Sequence, residues 1–75
     1  MTKEAKSLGT RLRATRDAKN LSQEDLARRV GCTVGHIGKI ECGDTNGSVA
    51  MLARLAIVLG VSMDWLVTGE RPVKK

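Results

Sequence analysis

Seventy-five residues with a formal net charge of +5 leave room for one small domain, and a chain this short buries only about 60% of its unfolded surface, so its core must be tightly patterned. Aliphatic residues are plentiful and the single proline, Pro72, lies near the end, which excludes a disordered chain. Trp65 is the sole aromatic, which excludes base stacking on aromatic side chains, the usual device for holding single strands.

Asn20, Gly31, the stretch 43–47, Gly60 and Gly69 divide the chain into segments of helical length. A first helix is predicted over residues 7–19. Leu8, Leu12 and Thr15 share its inner face, Arg11, Arg13 and Lys19 flank them, and Asn20 ends it in a left-handed conformation. A second helix is predicted over residues 23–30. Ser22 is its N-cap, with Asp25 three residues on in the place of the usual capping-box glutamate. Leu26, Ala27 and Val30 face inward and Gly31 stops it. Thr33 caps a third helix that runs to residue 41 or 42, with Ile37 and Ile40 inward, Cys32 just before it and Gly43 after it. A loop follows over 44–47. Ser48 caps a fourth helix through residue 59 with Val49, Leu52, Leu55, Ala56 and Leu59 inside, and Ser62 caps a short fifth one over 63–67. No segment alternates as a half-buried strand would, so the fold class is an all-α bundle of five short helices. Residues 1–6 are expected to be a flexible N-terminal arm, 7–69 the folded domain and 70–75 a basic C-terminal tail.

The positive charge is uneven. Residues 1–43 carry nine Lys/Arg against five Asp/Glu, and residues 44–75 carry four against three. Such a balance favours a polyanionic partner. Cys32 and Cys42 lie ten residues apart, about 15 Å if the segment is helical, beyond disulfide reach. Reduced thiols point to the cytoplasm, and the chain shows neither a membrane-length apolar run nor a signal-peptide core. Cys32 and His36 make only two ligands with Cys42 far off, so no metal and no cofactor is expected. One histidine, no Ser/His/Asp arrangement and no phosphate-cradling loop argue against an enzyme.

The segment from Leu21 to Gly43 carries the function. A capped helix of two turns, a glycine turn and a second capped helix follow one another. Ala27 lets the two helices approach, and Ile37 and Ile40 anchor the second while its early residues project outward, as entry into a major groove requires. Several blocks here resemble the Cro and phage-repressor (XRE) family of helix-turn-helix domains. They are Leu21-Ser22-Gln23-Glu24-Asp25-Leu26-Ala27, Ile37-Gly38-Lys39-Ile40-Glu41-Cys42-Gly43, Leu52-Ala53-Arg54-Leu55-Ala56 and Leu59-Gly60-Val61-Ser62. The ending Val61-Ser62-Met63-Asp64-Trp65-Leu66-Val67-Thr68-Gly69 is similar to lambdoid repressors, and the resemblance spans residues 8–69.

The resemblance implies a lambda-repressor-like domain that acts as a sequence-specific regulator, a repressor of phage or prophage type bound as a homodimer to double-stranded DNA at a pseudo-palindromic operator. It implies that Gln23 clamps a phosphate beside the helix N-terminus capped by Ser22. Thr33, Val34, Gly35 and His36 take the start of the recognition helix, and Lys39 lies one turn on. Arg13, on the otherwise solvated basic face of the first helix, is expected to be a DNA-binding residue. Arg16 and Glu41 match a buried ion pair. Val34 and Gly35 stand where the family often has long polar or basic side chains, so they offer apolar contact and close approach, and dimerisation and DNA shape must add specificity. Ile57, at a position usually polar in the family, is expected with Met63 and Trp65 to form a twofold dimer contact. A chain this short has no second, dimerising domain, and is either a stand-alone regulator or a fragment. The alternative is a protein-interaction module, such as an antitoxin or an anti-repressor partner, which Val34 and the acidic loop favour.

Overall fold

The computed structural model describes residues 7–70. The arm expected over 1–6 and the tail residues 71–75 lie outside them. Five helices make up the regular structure of the described residues: α1 (Leu8–Ala18), α2 (Gln23–Val30), α3 (Val34–Glu41), α4 (Val49–Leu59) and α5 (Met63–Thr68). Their principal contacts run in a ring: α1 packs on α3, α3 on α2, α2 on α4, α4 on α5, and α5 returns to α1.

Each helix begins on a hydroxyl. Ser7, Ser22, Thr33, Ser48 and Ser62 each accept a hydrogen bond from the backbone N–H three residues on, satisfying a donor that the helix itself leaves without a partner. At α2 the shorter aspartate still closes the capping box. Ser22 Oγ accepts from Asp25 N at 2.9 Å, and Asp25 Oδ2 accepts from Ser22 N at 3.1 Å. The second bond, together with the Ser22 hydroxyl and nearby Arg28, holds the Asp25 carboxyl below its ordinary range. A depressed carboxylate stabilises the fold above its unfolded pKa, and the contribution fades as pH falls through the folded one. Carbon-detected NMR titration should therefore place the Asp25 midpoint below the ordinary aspartate value of about 3.9. In Ser22→Ala that midpoint should move back up.

Gly31 ends α2 at φ 82°, a left-handed conformation that lets α3 start within three residues. The core consists of Leu12 from α1, Leu26, Ala27 and Val30 from α2, Ile37 and Ile40 from α3, Leu52, Leu55, Ala56 and Leu59 from α4, and Leu66 from α5. Cys32 is half-buried against it.

Two expected placements are corrected. Val49, assigned to the inner face of α4, is 72% exposed. It opens the helix in the first turn, before the helix reaches the α2 and α5 surfaces that cover Leu52 and Leu59. Arg11, expected to flank the α1 stripe, is 3% exposed. Its Nε donates to Leu66 O at 3.0 Å and its Nη2 to Val67 O at 2.8 Å, so it ties α1 to the carbonyls at the end of α5. The buried face of α1 is accordingly Gly9, Leu12 and Arg16 with Arg11 at its edge, while Thr15 is half-buried and donates to the Arg11 carbonyl.

Candidate nucleic-acid interface

Ile37 and Ile40 are fully buried, which pins α3 to the bundle by one face and turns its other face outward. That outer face carries Thr33, Val34, Gly35 and Lys39, all exposed, while His36 is half-buried. Val34 is 42% exposed, a sizeable apolar side chain at the tip of the helix. The Thr33 hydroxyl oxygen is committed to the cap, accepting from His36 N at 3.1 Å, which leaves its proton to donate elsewhere. A Cβ on Gly35 would meet nothing within 4 Å, so that residue faces open space.

Next to this strip lies a shallow polar depression where three helices meet. Arg13 and Arg16 reach it from α1, Gln23 from the start of α2, and Gly38, Glu41 and Cys42 from α3 and its end. Its floor is an ion pair. Arg16 Nε donates to Glu41 Oε2 at 2.7 Å, Nη2 donates to Oε1 at 3.2 Å, and Nη1 donates to Leu21 O at 2.8 Å. Both side chains are largely out of solvent, and the hydrogen bond to Glu41 raises the proton affinity of Arg16 against the opposing effect of burial. Gln23 Nε2 donates to the same carboxylate, at 2.9 Å from Oε1. With Glu41 balanced by Arg16, Arg13 is the charge at the rim.

The fold therefore gathers Arg13, Arg16, Gln23 and Glu41 into one place from positions far apart in the chain, and sets Thr33, Val34, Gly35, His36 and Lys39 along the adjoining helix. The Ser22 side chain is occupied by its capping box. Ile57, Met63 and Trp65 sit elsewhere, on α4 and α5. Ile57 is 78% exposed, whereas Met63 and Trp65 are half-buried against the core. Trp65 lines a groove with Ala14, Thr15 and Ala18 of α1 and with 60–62 of the α4–α5 turn. Gly38 and Cys42 were not singled out as neighbours of Gln23 by sequence reasoning. Only the α2–α3 packing brings them there.

Both cysteines are free; Cys42 is exposed, and burial pushes the Cys32 thiol up. Among the described residues no three His, Cys, Asp or Glu side chains cluster as a metal site would need, and no helix is long and apolar enough to cross a membrane.

A capped helix pair joined by a glycine turn and packed together, with the second helix anchored by isoleucines and open along its outer face, is a helix-turn-helix. A helix-turn-helix family model matches residues 12–66. The HTH-type transcriptional regulator YazB of Bacillus subtilis (strain 168), itself uncharacterized, is 38% identical over 91% of this chain and 99% of its own. Among solved structures, the P22 c2 repressor in complex with a synthetic operator superposes with a TM-score of 0.83 at 30% identity, covering 85% of this chain and 97% of that one. The biofilm master regulator SinR in complex with DNA gives 0.74 at 32% identity, over 79% and 95%. The chain belongs to the helix-turn-helix family of transcriptional regulators, of the XRE and phage-repressor type. This is a family of regulators and not of enzymes.

Proposed function

We propose that the protein is a cytoplasmic, sequence-specific repressor that seats α3 in the major groove of double-stranded DNA. The observation that carries this reading is the outward strip of α3 beside the Arg13–Gln23 depression. The strip supplies base-edge contacts from His36, Lys39 and the free Thr33 proton, with Val34 and Gly35 against thymine methyls and the groove wall. The depression and the first-turn N–H groups of α2 take the phosphates and set the register. The P22 c2 repressor was solved in complex with a synthetic operator, and the likeness supports operator binding by this chain.

The protein binds as a homodimer, because one such strip offers few hydrogen-bonding side chains. Two half-sites of a pseudo-palindrome then lie about 34–36 Å apart. The exposed Ile57, with Met63 and Trp65 beside the same end of α4, supports a twofold contact there. Replacing Ile57→Lys should convert the dimer to a monomer in sedimentation; an unchanged mass would remove this patch from the interface.

Affinity for a mixed-sequence duplex should fall steeply with salt, since each neutralised phosphate contributes about −0.9 to the logarithmic slope. Lys39→Ala should leave the slope nearly unchanged and relax one operator position, as a base-edge contact requires; a slope reduced by about one, with weaker binding to all sequences, would move Lys39 to a phosphate. A protein that fails to shift duplex DNA even at low salt would be an interaction module, with Val34 as part of its protein-binding face.

A further inference from the structure

Gln23 is the only glutamine in the chain, and its amide is held. A carboxylate accepts and never donates, so the amide must face Glu41 with its nitrogen, as it does at 2.9 Å. One N–H is thereby spent, the second remains, and the amide oxygen is turned from the carboxylate. Phosphate is also an acceptor only. An amide free to rotate would offer it the oxygen as readily as the nitrogen, and would lose that freedom on binding. Here the nitrogen end is kept on the side that Glu41 and Arg13 also line. Gly38 keeps the amide uncovered. A Cβ there would stand 3.9 Å from both amide heteroatoms, in van der Waals contact with the amide face that glycine leaves open.

We infer that Glu41 is a positioning residue for DNA binding: clamped by Arg16, it orients the Gln23 amide so that an N–H is ready for a phosphate seated beside Arg13. The ion pair between α1 and α3 thus serves recognition as well as the fold. The Arg16 guanidinium offsets the carboxylate at 2.7 Å, so the tether does not itself repel the phosphate. The inference rests on the reading of Gln23 as a phosphate donor, and the experiment separates the two.

In the wild-type protein without DNA, nitrogen relaxation of the one glutamine side-chain amide should give an order parameter near that of rigid backbone, about 0.85. A value under about 0.6 overturns the tether. Affinity for a mixed-sequence duplex of about 20 base pairs at low salt supplies the second readout. Gln23→Ala should weaken binding about tenfold, the size of one hydrogen bond to a charged group. Glu41→Gln keeps an oxygen for Arg16 but replaces the other acceptor with an N–H donor, so the Gln23 amide is no longer fixed nitrogen-first, and binding should weaken roughly threefold to tenfold. In the Gln23→Ala background the same change should cost nothing more, because the group it acts through is gone. Additive losses overturn the positioning role and leave Glu41 a purely structural residue. Unchanged binding in Gln23→Ala alone sinks the phosphate reading instead. Should Glu41→Gln fail to fold, the wild-type relaxation measurement decides alone.

Discussion

Glu41→Ala is expected to lower the free energy of unfolding by about 3–5 kcal/mol, the cost of leaving one member of a buried ion pair alone. Domains of this kind are held by only about 5–15 kcal/mol, so the variant should unfold at a far lower urea concentration or fail to accumulate folded. The physical cause is Arg16. It is buried, its Nε and Nη2 both donate to Glu41, and only Nη1 has further partners, in the Leu21 carbonyl and the exposed Asp17. Without Glu41 the guanidinium keeps its charge and loses its main acceptor. The double variant Arg16→Met, Glu41→Met removes both charges from the same space and should recover much of the loss. A double variant no more stable than Glu41→Ala would show that packing, and not an unpaired charge, sets the cost. Urea midpoints for the three proteins decide the matter.

Gly9→Ala is the second large effect, and its sign is opposite to what helix propensity alone would give. Within a helix the change from glycine to alanine ordinarily stabilises by about 1 kcal/mol. Gly9, however, lies where α1 crosses the end of α3. A Cβ there would fall onto the Glu41 carbonyl oxygen, 2.5 Å from the Ile40 carbonyl oxygen and 2.8 Å from the Glu41 carbonyl carbon. These are backbone atoms that no side-chain rotation can clear, so α1 must lift from α3. Overpacking of this kind costs about 1–3 kcal/mol and sometimes more. Lifting α1 also loosens the Arg16–Glu41 pair, since the two helices carry its two halves. Gly35→Ala makes the internal control. That position faces open space, so the same substitution should raise thermal stability by about 1 kcal/mol. If the Gly35 methyl also weakens duplex binding, Gly35 is needed for close approach to the groove. Melting temperatures of the two variants should move in opposite directions.

Much of this protein is local physics and was legible in the sequence. Four of the five N-caps, Ser22, Thr33, Ser48 and Ser62, stand directly before an apolar-periodic segment, and the hydroxyl needs only the backbone three residues on to do its work; Ser7, expected within the first helix, caps it instead. The α2 bounds, Gln23–Val30, follow from Ser22 on one side and Gly31 on the other, and the isoleucines that anchor α3 follow from their spacing of three. Those local signals are strong because caps and turns are decided by residues within one helical turn of each other. They placed the outward strip 33–39 before any packing was known.

The failures have the opposite character. Arg11 and its acceptors at Leu66 and Val67 are more than fifty residues apart, and nothing in the first helix marks that arginine off from the exposed Arg13 two positions on. Val49 sits on the periodic face of its helix, yet the bundle ends before it and leaves it in solvent. Gly9 carries no signal in the sequence, and only the crossing with α3 shows that nothing larger than a hydrogen fits there. The Arg16–Glu41 pair that the resemblance implied is formed, but the bond that joins Gln23 to it needs a third helix and has no local signal. The chain by itself thus determined where helices start and stop and which helix points its side chains outward, because those are matters of neighbouring residues. That Arg11 is buried, that Gly9 must stay a glycine and that the Gln23 amide is held against a carboxylate were decided only when distant helices closed on one another, because each depends on an atom supplied from the far side of the packing.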